Sequence, residues 1–146
     1  MTGSCAKNPK KKGPVFTATE TNITIDGNKV FVPVILGYNG REVKTMLIFD
    51  TGASAMVLHE NIADTLGIAD YTESKAFGVG GIEIDTKRMR LDYVIVGPHR
   101  KADLLTHIVA YQGAPMANYN GILGMNFLKG LEYFIDFDKH IIKWQH

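Results

Sequence analysis

Cysteine is almost absent: Cys5 stands alone. No internal disulfide can form, so burial has to hold the fold together, and the redox compartment stays open. Long apolar runs are missing as well, and none approaches the ~20 residues that span a bilayer. No apolar segment of a signal peptide precedes Cys5. The chain as written reads as soluble, with cytoplasm and periplasm both open. A lipid-anchored parent trimmed just ahead of Cys5 would look the same. Basic residues form no stripe along a folded segment, which argues against a nucleic-acid partner. Lys7, Lys10, Lys11 and Lys12 share residues 1–14 with no acid, giving that stretch +4; the remaining twelve basic and fifteen acidic residues give −3. Four lysines among Gly, Pro, Ser and Asn predict a disordered basic tail over 1–14.

Metal-ligand spacing is lacking too. His59, His99, His107, His140 and His146 are scattered, and Asp136-Phe137-Asp138 alternates across a strand instead of forming a calcium loop. Gly78-Val79-Gly80-Gly81 has its third glycine in the wrong place for a dinucleotide fingerprint, and no helix follows. Ser54 has no base placed near it, so a triad is not indicated. Neither a metal nor a cofactor is expected.

What the sequence does have is one domain's worth of apolar pattern. At 146 residues and 45% hydrophobic composition, a chain can bury roughly 68–70% of its unfolded surface in one core. Residues 15–146 are expected to form that single domain. Ile23 and Ile25 alternate with polar neighbours, and Asp26-Gly27-Asn28 supplies a turn. Val30 to Leu36 is a β-branched run in which Pro33, having no amide hydrogen, predicts an edge strand or a bulge. Asn39-Gly40 predicts a tight hairpin into a return strand, Glu42 to Phe49. His59 to Leu66 places Ile62, Ala63 and Leu66 on one helical face, with Gly67 at the C-cap. Lys75–Phe77 and Ile82–Ile84 flank a glycine-rich hairpin tip, and Met89–Val96 and Leu104–Tyr111 read as two further strands. A polar loop is expected over Gln112–Asn120, a helical turn over Asn126–Lys129, and a hairpin from Tyr133–Phe137 and Ile141–Trp144. Eight or nine short strands joined by tight turns predict an all-β, antiparallel sandwich or barrel.

Asp50-Thr51-Gly52 carries the chemistry. A given tripeptide arises by chance in about 2% of chains this long at ~5% usage per residue type, so its context decides. The aspartate leaves the apolar strand Leu47-Ile48-Phe49 and enters a turn at Gly52. Ala53 leaves room for close approach, and Thr51 and Ser54 bring hydroxyls. A rigid strand end beside small residues is what a positioned carboxylate requires. An Asx turn or a cap for the next helix is the alternative.

The run Leu47-Ile48-Phe49-Asp50-Thr51-Gly52-Ala53-Ser54 resembles the signature of the retropepsin-like, retroviral-type aspartic proteases. Gly121-Ile122-Leu123-Gly124 looks like that family's apolar–apolar–Gly strand. Phe77-Gly78-Val79-Gly80-Gly81 sits where the family has its flap, and order and spacing agree over roughly residues 22–144. The resemblance implies a closed, retropepsin-like β-barrel or sandwich with one or two short helices and a flap hairpin. It also implies an aspartic endopeptidase working without a cofactor. Two carboxylates about 3 Å apart share one proton, and this chain supplies one Asp-Thr-Gly. A homodimer would therefore pair Asp50 with its mate. By the same resemblance Thr51 would brace the pair, Gly52 would contact a polypeptide substrate, and Ser54 would support the carboxylate. Gly78, Val79, Gly80 and Gly81 would close over the substrate. Ala53 would join the active-site support, and Ile122, Leu123 and Gly124 would form the second-motif strand.

One departure stands out. Viral members typically follow the second motif with Arg and then Asn or Asp; here Met125 and Asn126 follow, so the chain looks closer to bacterial and cellular members. Ile141–Trp144 offers itself as a dimer strand. The missing arginine keeps an alternative open, a catalytically inactive module of the same fold that binds peptides or dimerises.

Overall fold

Turn chemistry sets the first hairpin. Asn39 and Gly40 take positive φ values of 49° and 80°, the two-residue turn that matches the twist of the strands it joins. The computed structural model describes residues 19–110 and 119–145. The predicted tail over 1–14 and most of the loop predicted over Gln112–Asn120 lie outside these.

Eleven strands are described. They are β1 (Glu20–Asn22), β2 (Thr24–Asp26), β3 (Lys29–Tyr38), β4 (Arg41–Phe49), β5 (Met56–His59), β6 (Thr72–Phe77), β7 (Glu83–Val96), β8 (His99–Val109), β9 (Gly121–Leu123), β10 (Tyr133–Asp136) and β11 (Ile141–Trp144). Two short helices accompany them, α1 (Glu60–Leu66) and α2 (Met125–Leu128). The large sheet runs β2-β3-β4-β9-β5-β8-β7-β6, and β3 also pairs with β7, closing six strands into a barrel. A second sheet, β1-β11-β10, lies beside it. The fold is all-β, with a closed barrel, two short helices and a long β6–β7 hairpin, as expected. No helix among the described residues is long and apolar enough to cross a membrane.

Three strand expectations need correction. The barrel is not wholly antiparallel: β4–β9 and β5–β8 are parallel pairs. A tight turn cannot make such a pair, and both are built from segments far apart in sequence. Glu83-Ile84 and Met89–Val96 belong to one 14-residue strand, β7, with Ile82 left in the tip, because the polar residues between them pair with β6, and Lys87 and Arg88 with β8 as well. Pro33 lies in a strand paired on both flanks. On one side it opposes Met46 of β4; on the other, β2 reaches only residues 29–31 and β7 only 35–37. The proline occupies the gap between two partners, where no amide hydrogen is wanted.

Helix α1 ends as its sequence predicts. Gly67 adopts φ 73°, its N–H bonds the Asp64 carbonyl at 3.0 Å, and the Ile68 N–H bonds the Ala63 carbonyl at 3.0 Å. That double capture is a Schellman cap. Val32, Leu36, Leu47, Met56, Leu58, Leu91, Val94, Leu123 and Phe127 are fully buried. Each such apolar side chain contributes about 1.5–3 kcal/mol by leaving water, and together they form one continuous core.

Candidate active site

Strand β4 ends at Phe49, and the next residue turns away from the core. The Asp50 backbone is held at both ends: its N–H donates to the Leu123 carbonyl at 3.1 Å, and its own carbonyl accepts from the Ala53 N–H at 3.3 Å. Its side chain folds back on the turn, where Oδ1 accepts the Gly52 N–H at 2.8 Å. This is the Asx-turn bond that the alternative reading foresaw. It leaves Oδ2 without a hydrogen-bond partner among the described residues. The carboxylate is half-exposed at the end of a rigid strand.

The second motif lies alongside. Ile48 pairs with Ile122 and Phe49 with Leu123 in the parallel β4–β9 ladder. Strand β9 is bracketed by two glycines that admit no side chain. A Cβ on Gly121 would sit 2.1 Å from the Val57 carbonyl oxygen, and one on Gly124 would sit 2.4 Å from that of Ala55. The strand is thus squeezed between β4 and β5, with its backbone against theirs. Beyond it the chain is stitched back to the loop: the Met125 N–H donates to the Ala53 carbonyl at 2.7 Å, and the Asn126 N–H to the Ser54 carbonyl at 3.1 Å.

Asn126 is the residue whose role the sequence left unassigned. Its Oδ1 accepts the N–H of fully buried Met56 at 3.0 Å, and its Nδ2 donates to the Leu105 carbonyl at 2.8 Å. One amide, carrying an acceptor and a donor side by side, clamps three segments. Its place two residues after the Gly-Ile-Leu-Gly run was the available signal.

The structure brings Asp50, Thr51, Gly52, Ala53 and Ser54 together with Ile122, Leu123 and Gly124. Thr51, Gly52, Ala53 and Ser54 line an open depression of about 430 Å³ with Met125, Asn126 and Lys129. Ser54 enters the loop's bonding through its carbonyl. Gly78, Val79, Gly80 and Gly81 do not line this depression. They cap the β6–β7 hairpin, where the Gly78 N–H bonds the Ile82 carbonyl at 2.8 Å and Gly80 and Gly81 take φ 78° and 77°. Lys75 and Asp85, opposite each other at the base, are joined at 2.6 Å; this hydrogen bond to Asp85 is the main reason the Lys75 pKa lies above its ordinary value. The tip carries apolar side chains into solvent: Phe77 is 73% exposed, Val79 96% and Ile82 67%.

Aromatic residues tie the loop to the small sheet. Phe49, next to Asp50, meets Tyr133 of β10 edge to face at 5.1 Å, and Tyr133 meets Trp144 of β11 at 5.8 Å. Trp144 Nε1 donates to the Thr21 hydroxyl of β1 at 2.8 Å. Burial pushes the Tyr133 phenol above its ordinary pKa. No group of three or more metal-ligating side chains forms among the described residues.

This geometry agrees with what the chain is similar to. Residues 34–130, about two thirds of the length, match the family described as gag-polyprotein putative aspartyl protease. The crystal structure of a retropepsin-like aspartic protease from Rickettsia conorii shares the fold, with a TM-score of 0.62 at 20% sequence identity over 86% of this chain and 87% of that one. No curated protein matches the sequence. A strand-end aspartate locked to a Gly-Ile-Leu-Gly strand inside a closed barrel fits both likenesses, and the chain belongs to the gag-polyprotein putative aspartyl protease family, with a retropepsin-like fold.

Proposed function

We propose that residues 15–146 form one catalytic domain that works as a homodimeric aspartic endopeptidase, with Asp50 of each protomer supplying half of the catalytic pair. One observation carries this reading. The Asp50 carboxylate stands half-exposed at the end of a buried strand, with Oδ1 fixed by the Gly52 amide and the other oxygen open. Two such carboxylates facing each other share one proton. The ionised member takes a proton from a water molecule, whose oxygen attacks the peptide carbonyl carbon. The protonated member donates to the carbonyl oxygen as the tetrahedral diol forms. Collapse of the diol breaks the C–N bond as the amine leaves with a proton. Thr51 and Ser54 support the pair, Gly52 lies beside the substrate backbone, and the β6–β7 hairpin acts as a flap whose exposed Phe77, Val79 and Ile82 cover an extended peptide and exclude water.

Asp50→Asn keeps the shape and the Gly52 contact but removes the shared proton. Cleavage of a peptide library should fall by at least the ~10²–10⁴-fold that acid–base catalysis supplies, while circular dichroism and sedimentation stay as in the wild type. An Asp50→Ala protein that cleaves at the wild-type rate would sink the assignment. A dimeric wild-type chain that cleaves nothing at any pH would favour the inactive module.

A further inference from the structure

One row of directly opposed residues crosses the barrel. Phe31 stands opposite Ile48, Ile48 opposite Ile122, Ile122 opposite Val57, Val57 opposite His107, and His107 opposite Arg88. Opposed residues share a face of the sheet. Their neighbours along each strand, among them Val32, Leu47, Leu123, Leu58 and Ile108, are buried in the core, so the row lies on the outer face. Phe31, Ile48, Ile122, Val57 and His107 are half-buried, and Arg88 is exposed. The alternation that puts Ile48 on this face returns to it at Asp50, so the row starts beside the candidate acid.

The row changes character along its length. Phe31, Ile48, Ile122 and Val57 are apolar; the far end is not. His107 is fixed by the Thr86 hydroxyl, 2.9 Å from its Nδ1, and Thr86 is itself buried. Nε2 has no hydrogen-bond partner among the described residues. Burial, and then the Arg88 charge, hold the His107 pKa below its ordinary value, so at neutral pH the cation at this end is Arg88. Neighbouring cations are engaged elsewhere. Lys75 meets Asp85 at 2.6 Å, Arg90 meets Asp103 at 3.5 Å, and Lys87 lies over the Tyr71 ring at 4.6 Å. Arg88 has no ion-pair partner among the described residues. Glu73, Glu83 and Asp85 alternate onto the opposite face of the β6–β7 hairpin.

We infer that His107 and Arg88 are specificity-determining residues, selecting a peptide substrate with an aspartate or glutamate side chain at the position that lies against them. The inference rests on the proposed reading of Asp50. An extended peptide laid along the row sets apolar side chains on Ile48, Ile122 and Val57, and then one on the polar pair. With the Thr86 hydroxyl donating to Nδ1, Nε2 keeps the ring hydrogen. A carboxylate there accepts from Nε2 and from the guanidinium in charge-assisted hydrogen bonds. An aliphatic side chain would strip water from both groups and return no bond. From β4 to β8 the row crosses three strand spacings, about 14 Å, and an extended residue advances about 3.3 Å. The acid therefore falls within about four residues of the cut.

The test is digestion of a peptide library by the full chain, followed by paired peptides that differ only in Glu or Leu at the selected position. The library should show an acid enriched at one position within about four residues of the cut, and kcat/KM should favour the Glu peptide at least about 10-fold. His107→Leu and Arg88→Leu should each lower that ratio at least about 3-fold, and together erase it. Arg88→Lys should keep most of it. Both peptides meet the same preparation, so partial unfolding cancels from the ratio. Arg90→Leu, two residues along the same face but tied to Asp103, should leave the ratio as it is. Cleavage without an acid preference, or a preference unmoved by both leucine variants, overturns the inference and leaves the catalytic reading standing. A wild type that cleaves nothing overturns the endopeptidase reading itself. The pair is then tested by retention of library peptides on the immobilised chain: acid enrichment that Arg88→Leu abolishes supports it, and indifference to acids overturns it.

Discussion

Replacing Asn126 by alanine tests whether one side-chain amide holds the candidate site in shape. The substitution removes two hydrogen bonds, to the Met56 N–H at 3.0 Å and the Leu105 carbonyl at 2.8 Å. Met56 is fully buried, so its amide hydrogen has no water to turn to, whereas the Leu105 carbonyl is half-buried and partly rescued. An unsatisfied buried group costs about 1–3 kcal/mol, and the pair together about 2–4 kcal/mol. With a urea slope of about 1–3 kcal/mol/M, the midpoint should drop by roughly 1–2 M, measured at fixed protomer concentration because the proposed dimerisation would add to apparent stability. Asn126→Asp separates this cause from simple loss of volume. It keeps the acceptor for Met56 but sets a carboxylate against the Leu105 carbonyl. Protonation supplies an O–H donor, so its deficit relative to wild type should shrink as the pH falls through the carboxyl range. An Asn126→Ala protein within about 0.5 kcal/mol of wild type, or an Asn126→Asp deficit that ignores pH, would refute the clamp.

Other outcomes follow from single distances. Gly124→Ala forces a methyl to 2.4 Å from the Ala55 carbonyl oxygen and 2.6 Å from its carbon, so backbone must move; a loss of about 2–4 kcal/mol is expected by thermal unfolding, and a wild-type melting curve would count against the packing. Gly37→Ala drives a methyl to 2.2 Å from the Tyr93 ring, displacing the phenol that donates to Glu42; the cost should be about 1–3 kcal/mol, and Tyr93→Ala should relieve most of it in the double variant. His107 has its pKa lowered, first by burial and then by Arg88. Its charged form is disfavoured on folding, so stability falls as the pH drops from the ordinary histidine value, 6.5, towards the lower folded value, and levels off below it. His107→Gln should flatten that part of the stability–pH curve, and an unchanged slope would assign it to other groups.

Local chemistry was legible in the sequence because neighbouring residues settle it. Asn39-Gly40 demanded a turn with two positive φ values and has one; Gly67 was placed to cap α1 and does; Asp50, released from an apolar strand into a glycine turn, sits where that pattern puts a held carboxylate. The all-β class followed from the order of such signals, and the retropepsin-like barrel with its hairpin from the resemblance that Leu47–Ser54 and Gly121–Gly124 bear to that family. The environment around the acid was not legible. Asp50 is bonded to Leu123, and Met56 is clamped by Asn126, 70 residues further along. No local periodicity encodes a bond of that reach, nor the parallel β4–β9 and β5–β8 ladders that create it.

The small sheet shows the same divide. Tyr133–Phe137 and Ile141–Trp144 read equally well as strands, and their apolar content did not tell which would be enclosed. Pairing with β1, contributed from the far end of the described chain, fills the open side of β11 and buries Ile142 and Trp144; β10 keeps its edge, and Phe134 stays in solvent. Sequence alone determined that this chain carries one Asp-Thr-Gly run at the end of an apolar strand. Tertiary structure alone decided that β11 is enclosed while β1 and β10 keep an open edge, because an edge exists only once every other strand has found its neighbours.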